Sequence, residues 1–489
     1  MISMKMESST VVDELTKVLI AQYLKKHHYD NTLSNFLIET SLPLSAVDDH
    51  CKQHQVYDDL ETIVTERVQF NEHEVSERLK ELTINDSLPS IDSDKFHIPC
   101  WDHTTKFTAF PGFQPPVGLT IESCFCYNST LLACTSTKQL YFYDRVSLTQ
   151  KKVLKLDNVI KRCGMLPVTD IYYYVCGIDG SVSMYGDSFE PIAGFKWRLH
   201  NRVVTHIQWF NRGRGELLCF SCGLDGFTKM HSLNLSDGKV TLLHEVKLLS
   251  ACTSFQLAQT ESGDPVLLLT RLDFTRVMVF VVSQNRLVEH SKIALNNAQF
   301  STHSFNVRDM VLLDFENTTS HANPHLRVLR PGTMLAIATS HIPYMRLILT
   351  EIPKLDALDT SQKMNTVVPQ VPSILDNFVT PNLHAANVED KSTASRVPKV
   401  YFDKILRNIA TTIPQDSYSQ PVLRSFLKGR GILVGGDLGV YAVDVSKGDS
   451  WIVRSDGSVG ESRVKSLDVH DDRIVVSFAN RTLAVWECQ

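Results

Sequence analysis

The rhythm of apolar and polar positions changes once along the chain, from helical spacing in the first 85 residues to strand spacing after about residue 111. Leu15, Val18, Leu19, Ile20, Tyr23 and Leu24 give a one-sided apolar stripe, with Thr10 or Asp13 placed to cap its start. A second helix is predicted from Asp30 or Asn31, carrying Leu33, Phe36 and Leu37. A third near 57–69 would align Leu60, Ile63, Val64 and Val68, and a fourth near 72–83 would align Val75, Leu79 and Leu82. Each helix is short and half polar, so each needs something to pack on.

Residues 86–110 read as a linker that becomes strand-like towards its end. From 111 to 489 short β runs alternate with Gly, Asp and Asn turns, and a strand–turn–strand unit recurs. Copies lie at 131–145, 172–187, 216–232, 266–282, 333–351, 431–445 and 473–487, mostly about 40–50 residues apart. Seven copies predict an all-β propeller of seven blades behind a small all-α region, with 285–330 left unassigned. The division expected is therefore 10–85 helical, 86–110 linker and closing strand, and 111–489 propeller. Residues 353–399, rich in Pro, Asn, Ser and Thr, read as an insertion, either a partner-binding loop or a tolerated one.

A propeller has to close without leaving a sheet edge open. The last repeat ends at Trp486-Glu487, so the segment 96–111 is predicted to pair with the strand at 482–487.

Charge and composition narrow the function classes. A net charge of −5 argues against a general nucleic-acid or anionic-membrane binder. The start of the chain has no signal pattern and no apolar run approaches roughly 18 residues, so a soluble intracellular protein without membrane contact is expected. Eleven cysteines at irregular spacing read as reduced, buried thiols. Cys219 and Cys222 form a Cys-x-x-Cys without a second ligand pair and read as core, like Cys124 and Cys126. The glycine-rich 434–439 stretch lies in a repeat turn, not before a helix, so it does not suit phosphate. No nucleophile elbow or metal-binding motif is present, and no catalytic, cofactor or metal residues are predicted. Basic clusters at Lys151-Lys152, Arg212 with Arg214, and Arg424 with Lys428 and Arg430 read as solvated rims unless they converge on one face.

Two resemblances add to this reading. Ile20, Tyr23, Leu24, Tyr29, Thr32, Phe36 and Glu39 match the LisH motif, with His28 at its usual glycine and Leu33 at its usual small residue. The resemblance implies a dimerising unit using Val18, Leu19, Ile20, Tyr23, Leu24, Tyr29, Thr32, Leu33, Phe36 and Leu37, with an interface that the helices at 57–83 would extend. The repeats resemble degenerate WD repeats: Tyr143-Asp144, Val443-Asp444 and Trp486-Glu487 stand for the Trp-Asp pair. Asp179, Asp225, Asp273 and Asp437 fall at its turns, and His200 and His470 stand for its upstream histidine. Together they imply a non-catalytic scaffold of the nucleus or cytoplasm that dimerises and holds partner proteins. Ubiquitin-ligase, chromatin-corepressor and dynein-regulator proteins share this combination. A propeller enzyme or small-molecule binder is the alternative of another class, and would need titratable groups converging in the central channel.

Overall fold

The computed structural model describes residues 2–45, 47, 59–81, 96, 98–101, 105–296, 305–314, 323, 325–355, 398–426, 430–456 and 462–488. Its strands form seven sheets. We number these as blades in chain order and their strands from the axis outwards. Blade 1 comprises Thr120–Phe125, Thr130–Thr135, Gln139–Asp144 and Gln150–Lys155. Blade 2 comprises Ile160–Met165, Tyr173–Gly177, Ser181–Tyr185 and Pro191–Arg198, and blade 3 Val204–Gly213, Glu216–Gly223, Phe227–Asn234 and Val240–Lys247. Blade 4 is built from Cys252–Thr260, Pro265–Arg271, Arg276–Ser283 and Arg286–Ala294. Blade 5 uses Val307–Leu313, Met334–Thr339, Tyr344–Glu351 and Ile405–Pro414, and blade 6 Val422–Phe426, Gly431–Gly435, Val440–Val443 and Ser450–Ile452. Blade 7 has Val464–His470, Arg473–Phe478 and Leu483–Cys488.

The fourth strand of blade 7 comes from far upstream. Phe107–Ala109 runs antiparallel to Leu483–Cys488, with Phe107 opposite Cys488 and Ala109 opposite Trp486. Seven apolar clusters then fill the gaps between neighbours, one per pair of blades. The seventh joins Leu131, Tyr141 and Tyr143 of blade 1 to Val475, Leu483 and Val485 of blade 7, which completes the ring.

Burial explains why the sequence repeat is visible only in part. The second strands are covered on both faces, as at Thr130–Thr135 and Met334–Thr339, and so read as continuous apolar runs. The outer strands are not, and Pro191–Arg198 alternates between exposed and half-buried positions. The unassigned 285–330 stretch contains the outer strand of blade 4 and the inner strand of blade 5. It also supplies Val328–Leu329, which pairs in parallel with Gln259 and Thr260 of blade 4. The bulk of the 353–399 insertion lies outside the described residues. Its return segment, Lys399–Tyr401, adds in parallel to the outer strand of blade 4.

Among the described residues three long helices precede the ring: α1 (Ile2–Lys26), α2 (Asp30–Thr40) and α3 (Leu60–Glu81). Two expectations are corrected here. The first helix begins at Ile2, so neither Thr10 nor Asp13 caps it. The third and fourth predicted helices are one continuous helix, because Asn71 and its neighbours contain no glycine or proline to break the ladder. Asp59 caps that helix: the Thr62 amide donates to its Oδ1 (2.8 Å).

Candidate interaction face, helical unit and central channel

The turn between α1 and α2 forms from backbone geometry. The Tyr29 amide donates to the Leu24 carbonyl (3.0 Å) and the His28 amide to that of Lys25 (3.2 Å). This is a Schellman closure with His28 at φ 59°, the left-handed conformation that the family's glycine adopts with less strain. His28→Gly is therefore expected to raise the helical unit's stability by about 1 kcal/mol, measured by thermal unfolding. Inside the hairpin Ala21, Leu33 and Val47 are buried, with Leu24, Phe36, Leu37 and Leu42 packed around them. Ile38 stays 77% exposed and Tyr29 50%, while Leu19, Ile20 and Tyr23 are half-buried and Thr32 is exposed. Val18 is buried.

The helical unit is tied to the ring through α3. At its start, Lys26 reaches Asp59 (3.0 Å) and Glu61, and His27 Nε2 lies 2.6 Å from Glu61. Further along, Glu66 pairs with Arg276 and with Lys292 (3.4 Å) on blade 4. Gln69 Oε1 accepts the Val400 amide (2.8 Å), and Phe70 meets Phe402 edge-on with centroids 5.4 Å apart. The docking face is thus Glu66, Gln69 and Phe70, not the apolar stripe read from sequence. Val64 and Val68 of that stripe remain exposed.

In blade 3 the histidine before the inner strand reaches the turn that follows the second strand. His200 Nδ1 lies 2.9 Å from Asp225, and its Nε2 lies 2.9 Å from the Ser221 hydroxyl. Burial pushes the imidazole below its ordinary range, against the pull of Asp225. The neutral ring therefore donates from Nδ1 to the carboxylate and accepts the Ser221 proton. Burial alone would raise the Asp225 carboxyl; the Asn201 amide and His200 instead hold it below the usual range. Asp225→Ala would strand a buried imidazole and is expected to cost about 1–3 kcal/mol, read from the urea midpoint at pH 7.

The other repeat residues are also turn-builders. Asp179 Oδ1 accepts the Ser181 amide (3.1 Å), and Asp437 binds Ser419 and Arg463 (2.7 Å). Trp486 is buried between blades 6 and 7. Asp273 takes a positive φ in its turn. His470 departs from expectation: it ends the inner strand of blade 7, at the opposite end from a repeat histidine, and contacts Arg145 and Asp471. Asp144 accepts the Val146 and Ser147 amides at 2.9 Å. The Ser147 bond foremost, against partial desolvation and with help from Lys151, holds its carboxyl at about 2. Its folded value lies below the unfolded one, so its stabilisation is complete above about pH 4 and fades as pH falls towards 2. The Tm gap between wild type and Asp144→Asn is expected to be open at pH 6 and closed near the acid end of that window.

A family model described as the UCP007778 beta-propeller domain matches residues 82–487, and the LisH domain of the same family matches 14–48. The chain belongs to this family. It is also 33% identical over 495 residues to the uncharacterized Saccharomyces cerevisiae protein YGR117C, covering 96% of both chains. The LisH unit and the propeller together make the architecture of a protein-interaction scaffold.

Two surfaces of this family member stand out, and sequence reading found neither. The turns between second and third strands all lie on one face, with the loops that lead into the inner strands. In five consecutive blades that turn exposes an apolar residue: Ile178, Leu224, Leu272, Ile342 and Leu438, between 36% and 63% exposed. Tyr344 and Tyr418 join them. The equivalent turns of blades 1 and 7 expose no large apolar side chain, so the apolar positions form an arc. Each is a single residue beside an Asp, Gly or, at Ile342, a Pro, which hides it within ordinary turn sequence.

The second surface is the central channel, a cavity of about 540 Å³ reached by the inner strands of all seven blades. It gathers His206, His325 and several charged side chains. Burial, with Arg162 and Lys161 adding to it, pushes His206 down to about 3, so that imidazole is neutral. Of the basic clusters read from sequence, only Arg424 reaches the channel. Lys151 and Lys152 lie on the outer strand of blade 1, Arg212 and Arg214 lie at the far turn of blade 3, and Lys428 is outside the described residues. Cys219 and Cys222 face opposite sides of one strand, packed in different clusters, and cannot share a ligand.

Proposed function

We propose that this protein is a non-catalytic adaptor that pairs through its LisH unit and holds partner proteins on the propeller face bearing the apolar arc, as one subunit of a regulatory complex. The observation that carries this reading is the arc itself. Apolar residues exposed singly need no explanation, but an exposed large apolar side chain in the same turn of five consecutive blades marks one sector of the face. A rigid ring presents such turns in fixed geometry, which suits recognition of another folded protein.

Pairing has separate support. The hairpin buries its own Leu33 and Ala21 yet leaves Ile38 exposed, and the exposed Val64 and Val68 lie one turn apart on α3. A second copy would cover them. Two rings held together would bind a bivalent partner with higher avidity than one. Ubiquitin-ligase and corepressor assemblies are the preferred setting, with motor regulation as the alternative.

The deciding experiment compares partners recovered by affinity purification from wild type and from Leu224→Asp/Ile342→Asp/Leu438→Asp. All three positions are exposed, so the variant should fold. Loss of a defined set of partners is expected; an unchanged set would sink the reading. For pairing, Ile20→Glu with Ile38→Glu is expected to give monomers in light scattering, and persistent dimers would refute it.

A further inference from the structure

The channel lining departs from the charge of the chain as a whole. Six cationic side chains line it, Lys161, Arg162, Arg308, Arg424, Arg463 and Lys465, against three carboxylates. The local excess is positive in a chain of net charge −5. Focused charge in a walled cavity raises the local concentration of the opposite sign.

Backbone irregularity creates this lining. Six of the seven inner strands shift register across their second residue: between Thr120 and Glu122, Ile160 and Arg162, Val204 and His206, Cys252 and Ser254, Val307 and Asp309, and Val464 and Ser466. A bulge breaks the strict alternation of faces and re-aims a side chain. Consecutive residues therefore both reach the cavity: Lys161 with Arg162, Arg308 with Asp309, and Lys465 with Ser466. Lys161, Arg308 and Lys465 are the residues at the shift itself, on blades 2, 5 and 7, near the mouth that opens inside the apolar arc.

The carboxylates are already engaged. Glu122 holds Arg162 (2.8 Å). Asp468 accepts the Phe125 amide (2.8 Å) and faces Arg424 (3.5 Å). Asp309 accepts the Ser254 hydroxyl and the Leu423 amide, both at 2.8 Å. Arg463 is held by Asp437 (2.7 Å). Among the described residues Lys161 and Lys465 have no carboxylate within pairing distance. Arg308 donates one Nη to the Ser417 carbonyl (2.8 Å), while its buried Nε has no acceptor. Burial, and then Arg162, lower the Lys161 amine from its ordinary range, a penalty that a bound anion would relieve.

We propose that the channel binds a small, multiply phosphorylated ligand, gripped by Lys161, Arg308 and Lys465 at the level of the bulges. The cavity has the volume of a small-molecule site and its unpaired donors suit phosphate oxygens rather than an apolar ligand. The same phosphate chemistry could be presented free in solution or on a lipid headgroup, and donors that line a channel reached by all seven inner strands favour the free form.

The test is calorimetric titration of the full-length protein with myo-inositol hexakisphosphate and with pyrophosphate, at two salt concentrations. Saturable binding that weakens with salt is expected. Lys161→Met/Lys465→Met should bind at least about tenfold more weakly, whereas Lys151→Met/Lys152→Met on the outer rim should bind as wild type. If the inner double variant does not fold, Lys465→Met alone, at an exposed position, gives the same reading. No binding of either probe, or equal weakening in the rim variant, would overturn the proposal. So would binding only to vesicles carrying phosphoinositide headgroups.

Discussion

Deletion of residues 1–110 is expected to leave a chain that cannot form a stable ring, and Trp101→Ala alone to cost about 3–5 kcal/mol. The reason lies at the seventh blade. Without Phe107–Ala109 the strand Leu483–Cys488 becomes an exposed edge, with its amides and carbonyls unpaired. The loss spreads beyond that edge, because the upstream segment also fills the outer gap between blades 6 and 7. Trp101 is buried against Phe426 and meets Trp451 edge-on at 5.2 Å, and its amide donates to Asp444 (3.2 Å). Gly431 lies directly beneath it: a Cβ there would come 2.5 Å from the indole. Phe96, further upstream, is buried between blades 5 and 6. Denaturant unfolding of Trp101→Ala measures the single-residue cost. For the deletion, soluble protein with an unchanged melting temperature would mean that three strands suffice to close the ring.

How much of this was legible depended on burial. The second strands are packed on both faces, so seven hairpins could be picked out from an apolar run leading into a turn. Inner strands were harder, because they face a polar channel and a bulge disrupts their alternation; Ile160–Met165 reads as mixed sequence. The charge of the channel was invisible for the same reason. Its six cations come from four stretches far apart in sequence, 161–162, 308, 424 and 463–465, and meet only because the inner strands converge on one axis. The LisH hairpin was legible down to the positive φ at His28, since a turn with a fixed backbone demand leaves a local mark. The docking of α3 was not: its anchors Glu66 and Gln69 look like an ordinary solvated face until Arg276 and Lys292 are seen opposite.

Glu66→Ala should release that docking. Arg276 and Lys292 are both nearly buried, and Glu66 is the carboxylate between them. Removing one member of such a group leaves uncompensated charge and is expected to cost about 3–5 kcal/mol. The cost should appear locally, because α3 has few apolar anchors besides Phe70 and the blades do not depend on it for closure. Amide exchange is therefore expected to rise in α3 and at Val400, whose N–H loses Gln69 as a partner, while the seven sheets stay protected. Phe70→Ala, which removes the contact with Phe402, should give the same pattern at smaller amplitude. The consequence for function follows from the tether. Lys26 and His27 hold the LisH unit to the first turn of α3, so α3 sets where that unit stands relative to blade 4. In the pair proposed above, release of α3 would leave the LisH contact intact but remove what fixes the separation of the two rings. Small-angle scattering should then report a larger, more variable distance between rings at unchanged oligomer mass. Unchanged exchange in α3 would mean that the ion pairs are incidental and that Phe70 and the backbone contact carry the docking.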